Sequence, residues 1–361
     1  MALLPDLRRQ LYTTSRESDG LVEPFEIFSK RHLRAVEDEL RAVLRVHGPT
    51  QAGLLGMVRY HLGWVDARLQ PCDARSGKRL RPMLCLLACE GCGAAPKQAL
   101  PAAAAIELLH NFTLIHDDIQ DQDQSRRARP TVWAIWGEAQ GINAGDTLFA
   151  LAQLAMLRLG ERDVSPGTVV QAMRLFNETC VTLTGGQYLD IGFESRDDVA
   201  VEDCLAMIES KTAALVACSC EMGALVAGAP HSQRVHLRAF GRHLGLAFQM
   251  LDDVLGVWGD SSVTGKPVGA DILRRKKTLP LLHGLEHSPE LRATMAQEVL
   301  SATDVRRATD LLDSVGSREY IEGLARAHHG QALAALELAG LRRAPSRALH
   351  ELTQALLSRR Q

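Results

Sequence analysis

The stretch that decides the fold reads ELLHNFTLIHDDIQD, from Glu107 to Asp121. It is largely apolar until its end, where Asp117 and Asp121 fall one helical turn apart on one face, with Asp118 between them. Two carboxylates so placed repel each other unless a hard divalent cation bridges them. A bare pair of aspartates is more often a solvated helix end. Here the acids close an apolar run and Arg126 and Arg127 follow them, which suits Mg²⁺ and a phosphate ester better than bare solvent. A second stretch repeats the device. In FQMLDDVLG, from Phe248 to Gly256, the residues Gln249, Asp252, Asp253 and Gly256 fall at i, i+3, i+4 and i+7. Two such helices can face each other across a cavity, metals at its mouth and greasy walls below. That is a vessel for a diphosphate head with a hydrocarbon tail.

Basic residues alternate with the acidic clusters. GKRLRP at 77–82 is a loop entering a helix; its glycine, Gly77, and its cations Lys78, Arg79 and Arg81 suit a diphosphate. Lys211 and Thr212 lie inside an apolar helix, where an unpaired ammonium would be costly. TGKP at 264–267 and RRKK at 274–277 follow the second acidic cluster. Any one of these is more often a surface charge. Their joint alternation with the acids carries the reading.

Outside these motifs the chain reads helical almost throughout, rich in Ala, Leu, Arg, Glu and Gln and poor in strand-like alternation. Helices are expected near 30–46, 51–69, 79–93, 98–121, 143–160, 168–190, 201–227, 234–257, 276–286, 290–300, 303–315, 317–339 and 344–359. The fold class is all-α: a single-domain bundle of antiparallel helices around a central cavity, spanning 26–361 behind a loosely held segment 1–25. Of 361 residues 46% are hydrophobic, ample for a core, and the formal net charge of -2 gives no global basic field for nucleic acid. The eight cysteines sit mostly in apolar stretches, as buried thiols of a reducing compartment do. Cys85, Cys89 and Cys92 lack a fourth partner at zinc-site spacing. The N-terminus has no secretory pattern, and Ala213 to Ala229 is too short and too rich in small residues to be a membrane span. A cytoplasmic protein is expected.

Taken together, GKRLRP, ELLHNFTLIHDDIQD, RRARPT at 126–131, GQYLD at 186–190, KTAAL at 211–215, FQMLDDVLGVWGD at 248–260 and TGKPVGADILRRKKTLP at 264–280 resemble the trans-isoprenyl diphosphate synthases, the group of farnesyl and geranylgeranyl diphosphate synthases. The resemblance implies a Mg²⁺-dependent prenyltransferase that joins isopentenyl diphosphate to an allylic diphosphate (C5–C15) and yields a linear all-trans product. It implies three Mg²⁺ ions, with Mn²⁺ as a substitute, and a homodimer. Asp117 and Asp121 would bind two ions and Asp252 a third, with Asp253 helping through water and Asp118 counted among the catalytic acids. Lys78, Arg81, His110 and Arg127 match the positions that hold isopentenyl diphosphate. Arg126, Lys211, Lys266 and Lys276 match those that hold the allylic diphosphate. Thr212 and Gln249 would turn oxygen dipoles to the allylic cation, and Gln187 would line the same cavity.

The chain departs from the family pattern where DDxxD ends in Gly256. Because Asp252 is intact, activity is expected to survive, with Asp260 as a partial substitute, and Gly256→Asp is expected to be tolerated. Product length is expected to depend on Thr113, one turn below Asp117 on its face, and on Phe112, about 140° away from Asp117. A small Thr with a bulky Phe suits C20 before C15. A class I terpene cyclase on the same fold would leave the isopentenyl-diphosphate residues without a task, and would want more aromatic lining than a 4% aromatic chain offers. A non-catalytic partner subunit could shed metal carboxylates, yet three remain. A metal-dependent phosphohydrolase leaves the second aspartate pair unexplained.

Overall fold

Gly63 shows how punctuation sets helix length. A helix was expected over 51–69, but it ends at His61, and the chain turns at Gly63, whose φ of +84° is a left-handed value that a residue without Cβ reaches cheaply. The computed structural model describes residues 25–45, 48, 51–74, 77, 79–259 and 269–357. Most of these are helical, as the sequence leads one to expect, and the sheet among them is a hairpin of two-residue strands. No helix among the described residues is long and apolar enough to cross a membrane. Apart from Phe25, the segment 1–25 lies outside the described residues, and so do Lys78, Asp260 and Lys266.

The chain divides into two compact units. The first holds the described residues up to Phe176 with Met222–Ala229 and Leu341–Ala348. Its helices are α1 (Phe25–Val43), α2 (Ala52–His61), α3 (Leu80–Gly91), α4 (Pro96–Gln120), α5 (Val132–Trp136) and α6 (Glu138–Leu157). Between α4 and α5 lie β1 (Ser125–Arg126) and β2 (Arg129–Pro130). The middle of α4 is buried from Ala99 to Leu109. Ala102–Ala105 keep its surface thin there, so α3 and α6 pack closely on it. Helix α6 starts at Glu138, before the expected 143, because Gly137 at φ +86° resets the chain direction after α5.

α7 (Pro166–Glu194) begins in the first unit and continues into the second, which holds Asn177–Glu221, Pro230–Gly340 and Leu349–Gln361. There follow α8 (Val201–Ile208), a π-helical turn (Glu209–Ala213), α9 (Ala214–Val226), α10 (His231–Trp258), α11 (Ala270–Leu273), α12 (Leu279–His287), α13 (Pro289–Met295), α14 (Ala302–Ser314), α15 (Ser317–Leu338) and α16 (Arg343–Leu357). Helix α13 stops at Met295 although helix was expected over 290–300. The core of the second unit joins Ile208, Leu246, Met250, Val254, Leu282 and Ile321. Each such side chain, fully buried, contributes roughly 1.5–3 kcal/mol. Gly241 and Gly245 of α10 lie against the backbone of Val216, Ala217 and Ala213, where any Cβ would overlap. That close crossing brings Gln249, one turn beyond Gly245, to Thr212.

Candidate active site

In the first unit the acids stand at the end of α4. Asp121 is the residue that closes the helix and is exposed, Asp117 is half-buried, and Asp118 turns inward. Asp118 is buried and takes a hydrogen bond from Arg126 Nε at 2.6 Å. Burial pushes its carboxyl up to about 6, against the pull of Arg126. Arg126 belongs to β1, and the hairpin places Arg127 and Ala128 at its tip, both with left-handed φ, +54° and +61°. This two-residue turn matches strand twist, but it asks of Arg and Ala a conformation that glycine or asparagine takes at less cost. Arg129 anchors it, donating to the carbonyls of Tyr60 and Val65 at 3.1 and 2.8 Å, its guanidinium over the Tyr60 ring.

The tip carries the most telling feature. Arg127 makes no hydrogen bond or ion pair with any described residue, although burial and the neighbouring Arg79 and Arg126 press its pKa down. Its guanidinium lies over Gly77, so close that a Cβ there would come within 2.8 Å of Nη2. Gly77 is left-handed there, at φ +87°, a conformation that favours glycine. A small cavity runs along this cation, lined by Tyr60, His61, Asp118, Arg126 and Arg129. His61 Nε2 is buried there without a hydrogen-bond partner. Nearby, Arg81 Nη1 donates to His110 Nε2 at 3.3 Å. Burial and the guanidiniums of Arg81 and Arg127 hold His110 well below its usual pKa. Neutral His110 thus accepts at Nε2 and carries its proton on Nδ1. Of the three cations expected to face a ligand from GKRLRP, Arg79 does not. Its side chain is buried between Glu37 and Glu107.

In the second unit a π turn replaces the uninterrupted helix expected over 201–227. The extra residue per turn sits at Glu209–Ala213, and it presents Lys211 and Thr212. Gly186 of α7 packs on the Lys211 backbone, leaving no room for a Cβ. One turn on, Asp190 meets Lys211 Nζ at 2.6 Å. The ammonium that an apolar helix could not carry alone is thereby paired. Thr212 Oγ1 donates to Gln249 Oε1 at 3.0 Å, and Gln249 Nε2 donates to Asp253 Oδ1 at 2.9 Å. Asp253 also accepts the Leu279 N–H at 3.3 Å. Burial pushes this carboxyl up to about 7, against Gln249 and Lys276. Asp252 and Lys276 are exposed, and Gln187 is half-buried on α7.

Gly256 departs from its expectation. Asp271 of α11 places its carboxylate where a Gly256 Cβ would stand. An aspartate at 256 is not accommodated as it stands: it would have to drive Asp271 out and set one carboxylate against another.

The donor chemistry fits Mg²⁺. Asp117, Asp121 and Asp252 offer hard oxygen ligands. No three His, Cys, Asp or Glu side chains among the described residues converge as a ready-made metal site. Mg²⁺ suits such sparse carboxylates, because it commonly takes its other ligands from water and substrate phosphates.

A sequence profile described as polyprenyl synthetase matches residues 64–313. The chain belongs to the polyprenyl synthetase family. Within that family it is 43% identical over 311 residues to a (2E,6E)-farnesyl diphosphate synthase of Mycobacterium tuberculosis, covering 84% of this chain and 85% of that one. It is equally 43% identical, over 288 residues, to a geranylgeranyl diphosphate synthase of the same organism, covering 78% and 81%. Among solved structures, the polyprenyl synthetase of Streptomyces coelicolor superposes with a TM-score of 0.85 at 36% identity, covering 92% and 99%. The family's all-helical fold is the one seen here. Asp190, Glu37, Asn111 and Asp271 are neighbours of the candidate residues that sequence reading passed over. Asp190 had a signal, since Lys211 called for a counter-charge and GQYLD ends in an acid. Glu37 and Asp271 had none.

Proposed function

We propose that the chain is a Mg²⁺-dependent trans-prenyltransferase that condenses isopentenyl diphosphate with an allylic diphosphate of C5–C15. Its product is a linear all-trans isoprenoid diphosphate, geranylgeranyl (C20) or farnesyl (C15). The observation that carries this reading is Arg127, a half-buried guanidinium without a hydrogen-bond or ion-pair partner among the described residues, seated over a glycine and held on a strained turn. A cation in that condition is built to receive an anion. The names of the relatives support a diphosphate of isoprenoid kind. Their equal identities favour neither C15 nor C20. The reach of the family profile across both units supports one catalytic domain over 26–361.

Mg²⁺, or Mn²⁺ in its place, held by Asp117, Asp121 and Asp252, would neutralise diphosphate charge and favour departure of the allylic one; three ions are proposed. Lys78, Arg81, His110 and Arg127 hold isopentenyl diphosphate, and Arg126, Lys211, Lys266 and Lys276 hold the allylic diphosphate. Lys211 exchanges Asp190 for phosphate oxygens when substrate arrives. Asp253 fixes the Gln249 amide so that its oxygen stands beside that of Thr212. Both dipoles are oriented before any positive charge develops, which is the preorganisation that lowers a barrier. The homoallylic double bond, held close, attacks the allylic carbon, and the proton leaves with the departing diphosphate. No side chain is assigned as base.

Incorporation of labelled isopentenyl diphosphate with C5, C10 and C15 primers tests this. A longer linear chain is the expected product. A cyclic hydrocarbon, free phosphate alone, or no turnover would replace the reading by a cyclase, a hydrolase or a silent subunit.

A further inference from the structure

One cation of GKRLRP cannot reach a ligand. The Arg79 side chain is 0% exposed. Its Nε donates to Glu37 Oε1 at 2.8 Å and its Nη1 to Glu107 Oε1 at 2.6 Å. Both carboxylates are held from elsewhere as well. Trp64 Nε1 donates to Glu37 Oε2 at 2.9 Å, and Asn111 Nδ2 to Glu107 Oε1 at 3.0 Å. Two acids thus enclose one guanidinium, while Arg79 Nη2 is buried without a hydrogen-bond partner among the described residues. The backbone of Arg79 is left-handed, at φ +48°. A desolvated, strained and incompletely satisfied ion triad is a poor device for stability, since apolar residues of like volume do as well or better.

Its position explains its presence. Two residues before Arg79, Gly77 meets the Arg127 guanidinium, and two residues after it, Arg81 meets His110. Arg79 therefore lies between the two residues that make these contacts.

We infer that Arg79, Glu37 and Glu107 form a buried positioning triad that holds Gly77 and Arg81, and through Gly77 the Arg127 guanidinium, in place for the homoallylic diphosphate. Arg79 touches no substrate; it acts through Gly77, Arg81 and Arg127. The inference rests on the proposed function and adds to it a residue set that serves one substrate's pocket.

Steady-state kinetics with each substrate varied in turn, together with thermal unfolding, test the triad in Arg79→Lys, Arg79→Met and Glu107→Gln. Lys keeps the charge but loses the fork that joins the two acids, so it informs even where Met fails to fold. Arg79→Lys and Glu107→Gln are expected to raise KM for isopentenyl diphosphate tenfold or more, with KM for the allylic partner within twofold and kcat falling less than KM rises. An active wild type whose variants shift both KM values equally, or lose only thermal stability, overturns the triad alone. A wild type that incorporates no isopentenyl diphosphate with any primer overturns the functional reading, and the triad with it.

Discussion

At the scale of single residues, helical spacing made the placing of Asp117 and Asp121 together at the end of one helix legible, because i and i+4 share a face whatever the surroundings. It could not tell which arginine of GKRLRP turns inward, since Glu37 lies 42 residues from Arg79 and no local pattern joins them. Nor could spacing reveal Asp271 behind Gly256. That contact makes Gly256→Asp a sharp test. Turnover is expected to fall at least tenfold and the melting temperature to drop, because Asp271 must leave its seat; a variant with wild-type rate and stability would show that the seat is not needed. His61 yields a test against pH. Burial and the guanidiniums of Arg127, Arg126 and Arg79 hold it neutral, well below its usual pKa. In the unfolded chain it takes a proton below about 6.5. Its contribution is therefore complete above that value and declines as pH falls below it. Asp118, raised to about 6, works in the opposite direction. His61→Gln should flatten the loss of melting temperature between about pH 6.5 and 5. An unchanged slope would mean that His61 titrates in the fold as it does in the open chain.

At the scale of elements, composition and punctuation located the long helices, and they missed what tertiary contact imposes. The π turn at Glu209–Ala213 leaves no mark of its own in KTAAL. It exists because α7 and α10 approach Lys211 and Ala213 on glycines. Gly186→Ala puts a methyl into the Lys211 backbone and is expected to cost about 1–3 kcal/mol. The same change should raise KM for the allylic diphosphate more than for isopentenyl diphosphate; denaturant unfolding and kinetics would read both, and neither effect would mean the helices can part freely. On α4, Phe112 lies against Phe149 of α6 at 5.3 Å between ring centroids and against His116 at 4.7 Å. Thr113 is tied back to the His110 carbonyl at 2.8 Å and stays small. A tail that follows the Asp117 face meets Thr113 first. Thr113→Phe is expected to shorten the product by one isoprene unit or more while sparing the first condensation. Wild-type chain length by chromatography of the dephosphorylated products would show that the tail takes another course.

At the scale of the whole molecule, assembly is proposed as a homodimer, and α7 offers the surface for it. Val181, Thr184, Tyr188 and Ile191 recur at three- and four-residue steps, a stripe along one helix face. Val181 is 73% and Tyr188 77% exposed, so the stripe presents apolar surface. A Val181→Arg, Tyr188→Arg double variant should elute as a monomer in size-exclusion chromatography with light scattering. A dimer that survives both charges would place the interface elsewhere.

The hairpin tip has a consequence for how such a chain evolves. Arg127 and Ala128 both hold left-handed backbone where Asn-Gly would rest without strain. A population screened only for survival of heat should drift toward Asn and Gly at these positions, gaining robustness as it discards the guanidinium. Lineages kept under demand for product should retain Arg127 and accept the tension. Ala128→Gly alone separates the two pressures, because it relaxes one residue of the turn and leaves the cation in place.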